Sequence, residues 1–345
     1  MSEILKWNTK TAMQPLVSVI VPCRNEIRYI GAFLESVAAF ECPPGAVEVL
    51  IADGTSSDGT REFLDGYAAV HDWLRVIPNP NRIVSSGLNT AIREARGSII
   101  IRLDVHATFA PDYIVECLRV LNETGADNVG GPARTRAHGY MQRAIAAAYH
   151  SPFACGGARF HDVNYEGLVD TVTFGCWRKE LFDRVGLFDE TLIRNQDDEH
   201  NLRITLEGGL GGGKIFQSPR IRSWYETRSS LPALFSQYRQ YGYWKVPVIR
   251  KHGRPSSWRH LVPATFVGTL AVLAVFAPFS YWARLALVLT GGAWLAVTMV
   301  ATLIICLPRQ LKLLPVMPLV LATYHVSYGL GFLGGLLMPR QRGER

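Results

Sequence analysis

The chain has 345 residues, 48% apolar and 19% charged, with six cysteines and a formal net charge of +7. That apolar share excludes a disordered polypeptide, and six scattered cysteines exclude a disulfide-stapled miniature. The charge is uneven: residues 1–260 hold 30 basic and 28 acidic side chains, whereas the remainder holds six basic residues and Glu344.

Residues 1–15 carry mixed charge without an apolar run, so they read as an N-terminal extension rather than a signal peptide. Val17–Pro22 predicts a first strand, and Asn25–Phe40 is long enough for a helix. Val47–Ala52 predicts a second strand, closed by Asp53, Gly54 and two serines, after which Asp58 is placed to cap a helix reaching about Val70. Trp73–Ile77 reads as a third strand, Val84–Ala95 as a helix and Ser98–Leu103 as a fourth strand. Apolar strands separated by single helices imply a parallel sheet covered on both faces, with ligands gathering at the carboxyl ends of the strands. Asp53 and Asp104 stand at two of those ends. Gly130-Gly131-Pro132 suggests a turn after a fifth strand.

Two phosphate-binding patterns fail on context. After the first strand the chain reads Pro22-Cys23-Arg24-Asn25-Glu26, not the glycine-rich turn of a dinucleotide site. Gly208 to Lys214 spells G-x-x-x-x-G-K, but Ile215 follows, supplying no hydroxyl for Mg²⁺, and the segment leads from a helix into a strand. It reads as a glycine-rich turn ending a helix over Asp198–Glu207.

Leu231–Arg250 predicts an amphipathic helix leading into an interfacial region that closes at residue 260. There Lys245, Arg250, Lys251, Arg254 and Arg259 are interleaved with Tyr241, Tyr243, Trp244 and Trp258. Mixed basic and aromatic residues beside apolar runs fit a cytoplasmic membrane interface better than nucleic acid. From 261 to 338 there is no acid and only three basic residues. Leu261–Phe279, Trp282–Leu307 and Leu313–Met338 each reach the roughly 20 apolar residues a spanning helix needs. Three spans would export the basic tail at 339–345, against its three arginines. One stretch is therefore expected to be re-entrant or interfacial, with Leu313–Met338 the candidate. No C-x-x-C pair occurs, so the cysteines read as reduced packing residues.

In order along the chain, Val17–Pro22 with Asn25-Glu26, Asp53-Gly54 with Ser57-Asp58-Gly59-Thr60, and Asp104-Val105-His106 resemble the family 2 glycosyltransferases. Phe174-Gly175-Cys176, Phe182, Gly186-Leu187-Phe188-Asp189-Glu190 and Gln196-Asp197-Asp198-Glu199 with Arg203 continue the match. Tyr238 to Lys245, followed by an apolar tail, is most similar to the succinoglycan-biosynthesis type. The resemblance implies a GT-A fold: a doubly wound mixed α/β sheet over a catalytic domain at 16–230, followed by C-terminal transmembrane helices at 261–338. It also implies a multi-pass protein of the cytoplasmic membrane, with the catalytic domain in the cytoplasm.

Leaving diphosphate builds negative charge, so such a site needs a divalent cation, Mn²⁺ or Mg²⁺. In extended backbone Asp104 and His106 point the same way and can share one ion. The family more often has a second Asp at position 106, and an imidazole there moves the preference toward Mn²⁺. The alternative for His106 is a structural histidine bonded to backbone. The resemblance implies that Asp53 accepts from the donor's uracil or uridine, although an Asp before Gly also forms turns. It further implies that Pro22, Glu26 and Asp104 belong to the nucleotide pocket. A sugar hydroxyl needs a base, and of the three acids at 197–199 the resemblance selects Asp197. Acids at a helix start also serve its dipole. Acceptor or diphosphate candidates are Trp177, Asp198, Arg239, Tyr243, Trp244 and Lys245. Processive relatives carry Q-x-x-R-W where Gln240-Tyr-Gly-Tyr243-Trp244 stands, so Tyr243 replaces Arg.

The expected activity is inverting transfer of one sugar from a UDP-sugar, UDP-glucose first, to a polyprenyl-diphosphate-linked saccharide in exopolysaccharide assembly, with membrane lipid and other assembly proteins as partners. The alternatives are a processive synthase and a non-catalytic scaffold of such a complex.

Overall fold

In a computed structural model residues 16–42, 46–207, 212–307 and 310–337 are described. The expected N-terminal extension, the basic tail at 339–345 and residues 208–211 of the glycine-rich turn lie outside them. The chain divides into two compact units, Met1–Arg134 with Asp162–Tyr225, and Thr135–His161 with Glu226–Arg345. Residues 135–161 therefore group with the C-terminal helices, a grouping that chain order does not reveal.

The strands are β1 (Val17–Cys23), β2 (Val47–Asp53), β3 (Leu74–Pro78), β4 (Ile99–Arg102), β5 (Ala107–Phe109), β6 (Asn128–Gly131), β7 (Arg134–Arg136), β8 (Gly167–Leu168), β9 (Thr173–Arg178), β10 (Ile215–Gln217) and β11 (Ser223–Glu226). Eight form one sheet in the order β3-β2-β1-β4-β9-β6-β10-β8. β1 to β4 run parallel, with Cys23 opposite Asp53 and Asp53 opposite Pro78. β9 enters antiparallel between β4 and β6, so the sheet is mixed. β5 and β11 pair antiparallel beside it.

The helices are α1 (Ile30–Ala38), α2 (Thr60–Ala68), α3 (Val84–Glu94), α4 (Tyr113–Thr124), α5 (Tyr140–Tyr149), α6 (Pro152–Cys155), α7 (Leu181–Val185), α8 (Gln196–Glu207), α9 (Leu231–His252), α10 (Val262–Phe276), α11 (Tyr281–Cys306) and α12 (Met317–Leu336). α1, α2 and α4 cover one face of the large sheet, while α3, α7 and α8 cover the other. β1 shows the two-residue period of a strand buried on both sides: Val17, Val19 and Val21 enter the first core and Ile20 the second.

Two expectations shift. The first helix starts at Ile30 rather than Asn25, because the intervening backbone is tied elsewhere: the Glu26 amide donates to Thr60 Oγ1 at 2.7 Å. Gly130 and Gly131 lie inside β6, not in a turn after it. A Cβ on Gly131 would sit 2.0 Å from the Ile221 carbonyl oxygen, so close backbone approach, not turning, requires that glycine.

In the second unit, three helices are long and apolar enough to cross a membrane: Trp258–Phe276, Tyr281–Cys306 and Met317–Leu336. The last is half buried within the protein, against 6% and 17% for the others. Its partner is α9. Gly242 and Gly331 bring these two helices together, since a Cβ on Gly242 would lie 2.1 Å from Tyr328 O and one on Gly331 2.0 Å from Arg239 O. Small residues at a crossing let backbones touch, as in membrane helix pairs. Tyr324 Oη donates to Ile145 O at 3.2 Å and Tyr140 Oη to Lys312 O at 2.8 Å, which ties α5 to the same bundle. Gly331→Val is expected to cost about 1–3 kcal/mol through overpacking, read as a lower Tm of the detergent-solubilised chain. An unchanged Tm would mean that the α9–α12 contact is not tight.

Candidate active site

The carboxyl edge of the parallel strands collects the predicted acids. Asp53 ends β2, only 3% exposed, and its carboxylate accepts from Ser56 Oγ at 2.6 Å. Arg61 Nη1 lies 3.9 Å away. The loops after β1 and β2 are laced together: Asn25 Oδ1 accepts from the Ser57 amide, and Asp58 accepts from the Ile27 and Thr60 amides. The Thr60 hydroxyl, hydrogen-bonded to Asp58 at 2.6 Å, holds that carboxyl below its usual range. Asp58 is thus a turn and helix-start residue. Pro22 sits in β1 opposite Ala52, one residue before the edge.

Asp104 and His106 do not lie in extended backbone, contrary to the expectation. Val105 and His106 form a turn between β4 and β5, with the Ala107 amide donating to Asp104 O at 3.0 Å. Asp104 takes both Arg102 Nε and Nη2 at 3.1 Å and remains 34% exposed. His106 Nε2 lies 2.8 Å from Glu26 Oε2, and its ring packs 4.9 Å from that of Tyr29. The β1 and β4 loops are therefore joined through Glu26 and His106, a contact no single motif announces.

Asp197 reaches the same edge by topology. Asn89 of α3 donates to Phe188 O and Glu190 Oε1, both at 2.8 Å, and Ser85 in the first turn of α3 donates to Leu192 O at 3.5 Å. Residues 188–192 are thereby held beside the helix that follows β3. α8 then starts at Gln196 and leads toward β10, which runs parallel to β6 and so in the direction of β4. A helix that precedes such a strand begins at the strand's carboxyl side.

The three acids opening α8 have different environments. Asp197 is exposed, with Oδ1 accepting from the Asp198 amide at 2.9 Å, and Asp198 is half-buried. Glu199 is fully buried, neither capping nor solvent-facing. It takes Arg203 Nε at 2.9 Å, while Arg203 also donates to Val185 O at 2.6 Å and Leu187 O at 2.7 Å. That guanidinium clamps the Gly186-Leu187-Phe188 turn to α8. His200, at 0% exposure, meets Gly186 O at 3.1 Å through Nε2. Burial, with Arg203 beside it, pulls His200 from 6.5 to about 3.

The unfolded chain therefore binds a proton near pH 6.5 that the native state refuses until about pH 3, so stability falls as pH drops through that window. His200→Gln is expected to lose less Tm than the parent between pH 7 and pH 5. An equal loss would reject the assignment.

Trp177 must be corrected as an acceptor contact. It is 3% exposed, opposite Ile100 in β9, and packed edge-on against Phe182 and Phe188, so it is core. In the second unit Arg239 is exposed, Tyr243 and Trp244 are half-buried with rings 5.8 Å apart, and Lys245 is buried. Asn89 and His200 were not legible as site supports, since a lone polar residue within a helix carries no spacing signal. The six cysteines are all free, and Cys23, Cys117, Cys176 and Cys306 are buried.

Non-glycine residues with left-handed backbone mark the same edge. Asn25, Thr55 and Arg82 follow β1, β2 and β3, and Asn195 precedes α8, with φ between 58° and 61°. Such strain persists where surrounding structure imposes it, commonly at ligand sites. Among the described residues, no three His, Cys, Asp or Glu side chains form a metal-holding group. Asp104, held here by Arg102, and His106, held by Glu26, offer one oxygen and one nitrogen donor of the kinds a divalent ion accepts.

The glycosyl transferase family 2 model matches residues 18–186. The chain is 30% identical over 331 residues to the succinoglycan biosynthesis protein ExoA of Rhizobium meliloti (strain 1021), covering 94% of this chain and 96% of that protein. It is 26% identical over 333 residues to a dolichyl N-acetyl-α-D-glucosaminyl phosphate 3-β-D-2,3-diacetamido-2,3-dideoxy-β-D-glucuronosyltransferase of Methanococcus voltae, covering 93% and 97%. The mannosyltransferase PcManGT of Pyrobaculum calidifontis, solved with GDP-Man and Mn²⁺, superposes with a TM-score of 0.60 at 20% identity, covering 91% and 87%. That structure shares the GT-A fold found here. With likeness running nearly end to end over a mixed sheet of this topology, the chain belongs to glycosyl transferase family 2.

Proposed function

We propose that this glycosyltransferase, acting in polysaccharide or glycan biosynthesis, moves one sugar from a UDP-sugar, UDP-glucose first, to a polyprenyl-diphosphate-linked saccharide, forming a β linkage by inversion. The observation that carries the reading is the pairing of Glu26 with His106 across the loops after β1 and β4, on the sheet edge where β2 ends at Asp53, in a chain with three membrane-length helices. Asp53, buried at the strand end, accepts from the donor base. Asp104 and His106, with Glu26 adjoining, hold a divalent ion, which when bound neutralises charge on the diphosphate. Asp197 takes the acceptor hydroxyl proton as the C–O bond forms. A membrane anchor raises the local concentration of a lipid-linked acceptor without further contacts. The catalytic domain faces the cytoplasm in this reading.

The test supplies radiolabelled UDP-glucose to membranes holding the full chain and a prenyl-diphosphate monosaccharide. Label is expected in organic-soluble lipid; label on soluble glycan or protein alone would reject the acceptor. EDTA is expected to abolish transfer and added Mn²⁺ to restore it. Full activity in EDTA would remove the metal from the scheme.

A further inference from the structure

Outside the sheet edge, the second unit holds a cluster of basic and histidine side chains that the proposed chemistry leaves unused. His161, 8% exposed, has a buried Nδ1 that makes no hydrogen bond, and its ring meets those of Tyr149 and Phe160 at 4.1 and 3.9 Å. A buried nitrogen without a partner is costly to keep, and a ligand that accepts from it would remove that cost. His150 lies against it, with Nδ1 2.9 Å from His161 O and Nε2 3.0 Å from Thr135 Oγ1.

Burial, with His150 and Arg259 adding positive potential, pulls His161 to about 3, so the ring is neutral and its Nδ1 can carry a proton to donate. Gly156 and Gly157 follow with left-handed φ of 65° and 67°. The stem of Arg259 lies on Gly156, where a Cβ would stand 2.9 Å from Arg259 Cβ. At Gly157 the added Cβ would meet nothing within 4 Å, so a ligand can approach that backbone.

Arg259 also opens the first membrane-length segment, Trp258–Phe276. Trp258 is 77% exposed, and Phe279, Tyr281 and Trp282 are exposed beyond the other end. Aromatic residues at both ends of an apolar helix mark headgroup depth, where lipid phosphates lie.

We propose that Arg259, His161 and the Gly156–Gly157 turn form a binding site for the diphosphate of a prenyl lipid, at the membrane surface, resting on the lipid-linked acceptor reading above. Arg259 supplies a charged, forked donor, His161 Nδ1–H a neutral one, and Gly157 the open side through which the phosphate enters.

The experiment titrates geranylgeranyl diphosphate into the full chain in phosphatidylcholine nanodiscs by calorimetry, with UDP titrated separately. Saturable binding is expected, weakened about tenfold or more by R259Q and by H161Q, with UDP binding unchanged in both. R259K is expected to lose less than R259Q. Should R259Q fail to bind UDP, H161Q carries the test. Binding of geranylgeranyl diphosphate at parental affinity in H161Q and R259Q would overturn the site. Equal competition by phosphatidylglycerol or by inorganic diphosphate would also overturn it, since a bulk headgroup or a free anion would then suffice. Prenyl-diphosphate binding without sugar transfer would leave this site standing and reject the acceptor reading instead.

Discussion

Asp197→Asn is expected to reduce sugar transfer by about 10²–10⁴-fold, the range of a lost general base, while UDP affinity stays at the parental level. The amide is nearly isosteric but cannot take a proton, and the side chain is already exposed, so folding does not depend on its charge. Its one observed role, Oδ1 accepting from the Asp198 amide, survives in Asn. Glu207→Gln, exposed at the far end of α8, serves as the control and is expected to retain most activity. If the Asp197 variant turns over near the parental rate, the base lies elsewhere. If it loses UDP binding as well, the residue serves the donor and not the acceptor.

Glu199→Ala is expected to destabilise the first unit by about 3–5 kcal/mol, the cost of stranding one partner of a buried ion pair. Arg203 would keep its contacts with Val185 O and Leu187 O, but its charge would stand in the core beside a residue of 0% exposure without the carboxylate. Replacing both partners, Glu199→Met with Arg203→Met, is expected to recover much of that loss, because no unpaired charge remains. Transfer should stay low in the double variant, since Val185 O and Leu187 O lose the donor that joins their turn to α8. Thermal unfolding and transfer assays on the same preparations separate the two effects. A single variant as stable as the parent would show that the pair is dispensable.

Much of the sheet was legible because β1 to β4 are apolar runs whose burial on both faces leaves no polar alternation to interpret. β9 was not. Its residues Thr173-Phe-Gly-Cys-Trp-Arg178 read as a motif, and only the hydrogen-bonded register with Ile99–Ile101 makes them an antiparallel strand in the middle of the sheet. That register turns Trp177, an acceptor or diphosphate candidate in the sequence, into core. The acids of α8 show the same limit: three carboxylates in succession look alike in one dimension, but a helix advances 100° per residue and sends Glu199 inward while leaving Asp197 outside.

The sequence by itself determined the two-part character of the chain, its parallel strand–helix alternation, its membrane-length helices and the types of acid available for the chemistry. These follow from local properties, namely apolar length, side-chain period and turn-forming residues, which neighbouring positions settle. The tertiary structure alone decided that Glu26 meets His106 across 80 positions, that Arg203 binds the 185–187 turn to α8, and that residues 135–161 join the C-terminal bundle. Each is a pairing between distant segments, and a charge or a glycine carries no record in one dimension of which distant partner packing will bring to it.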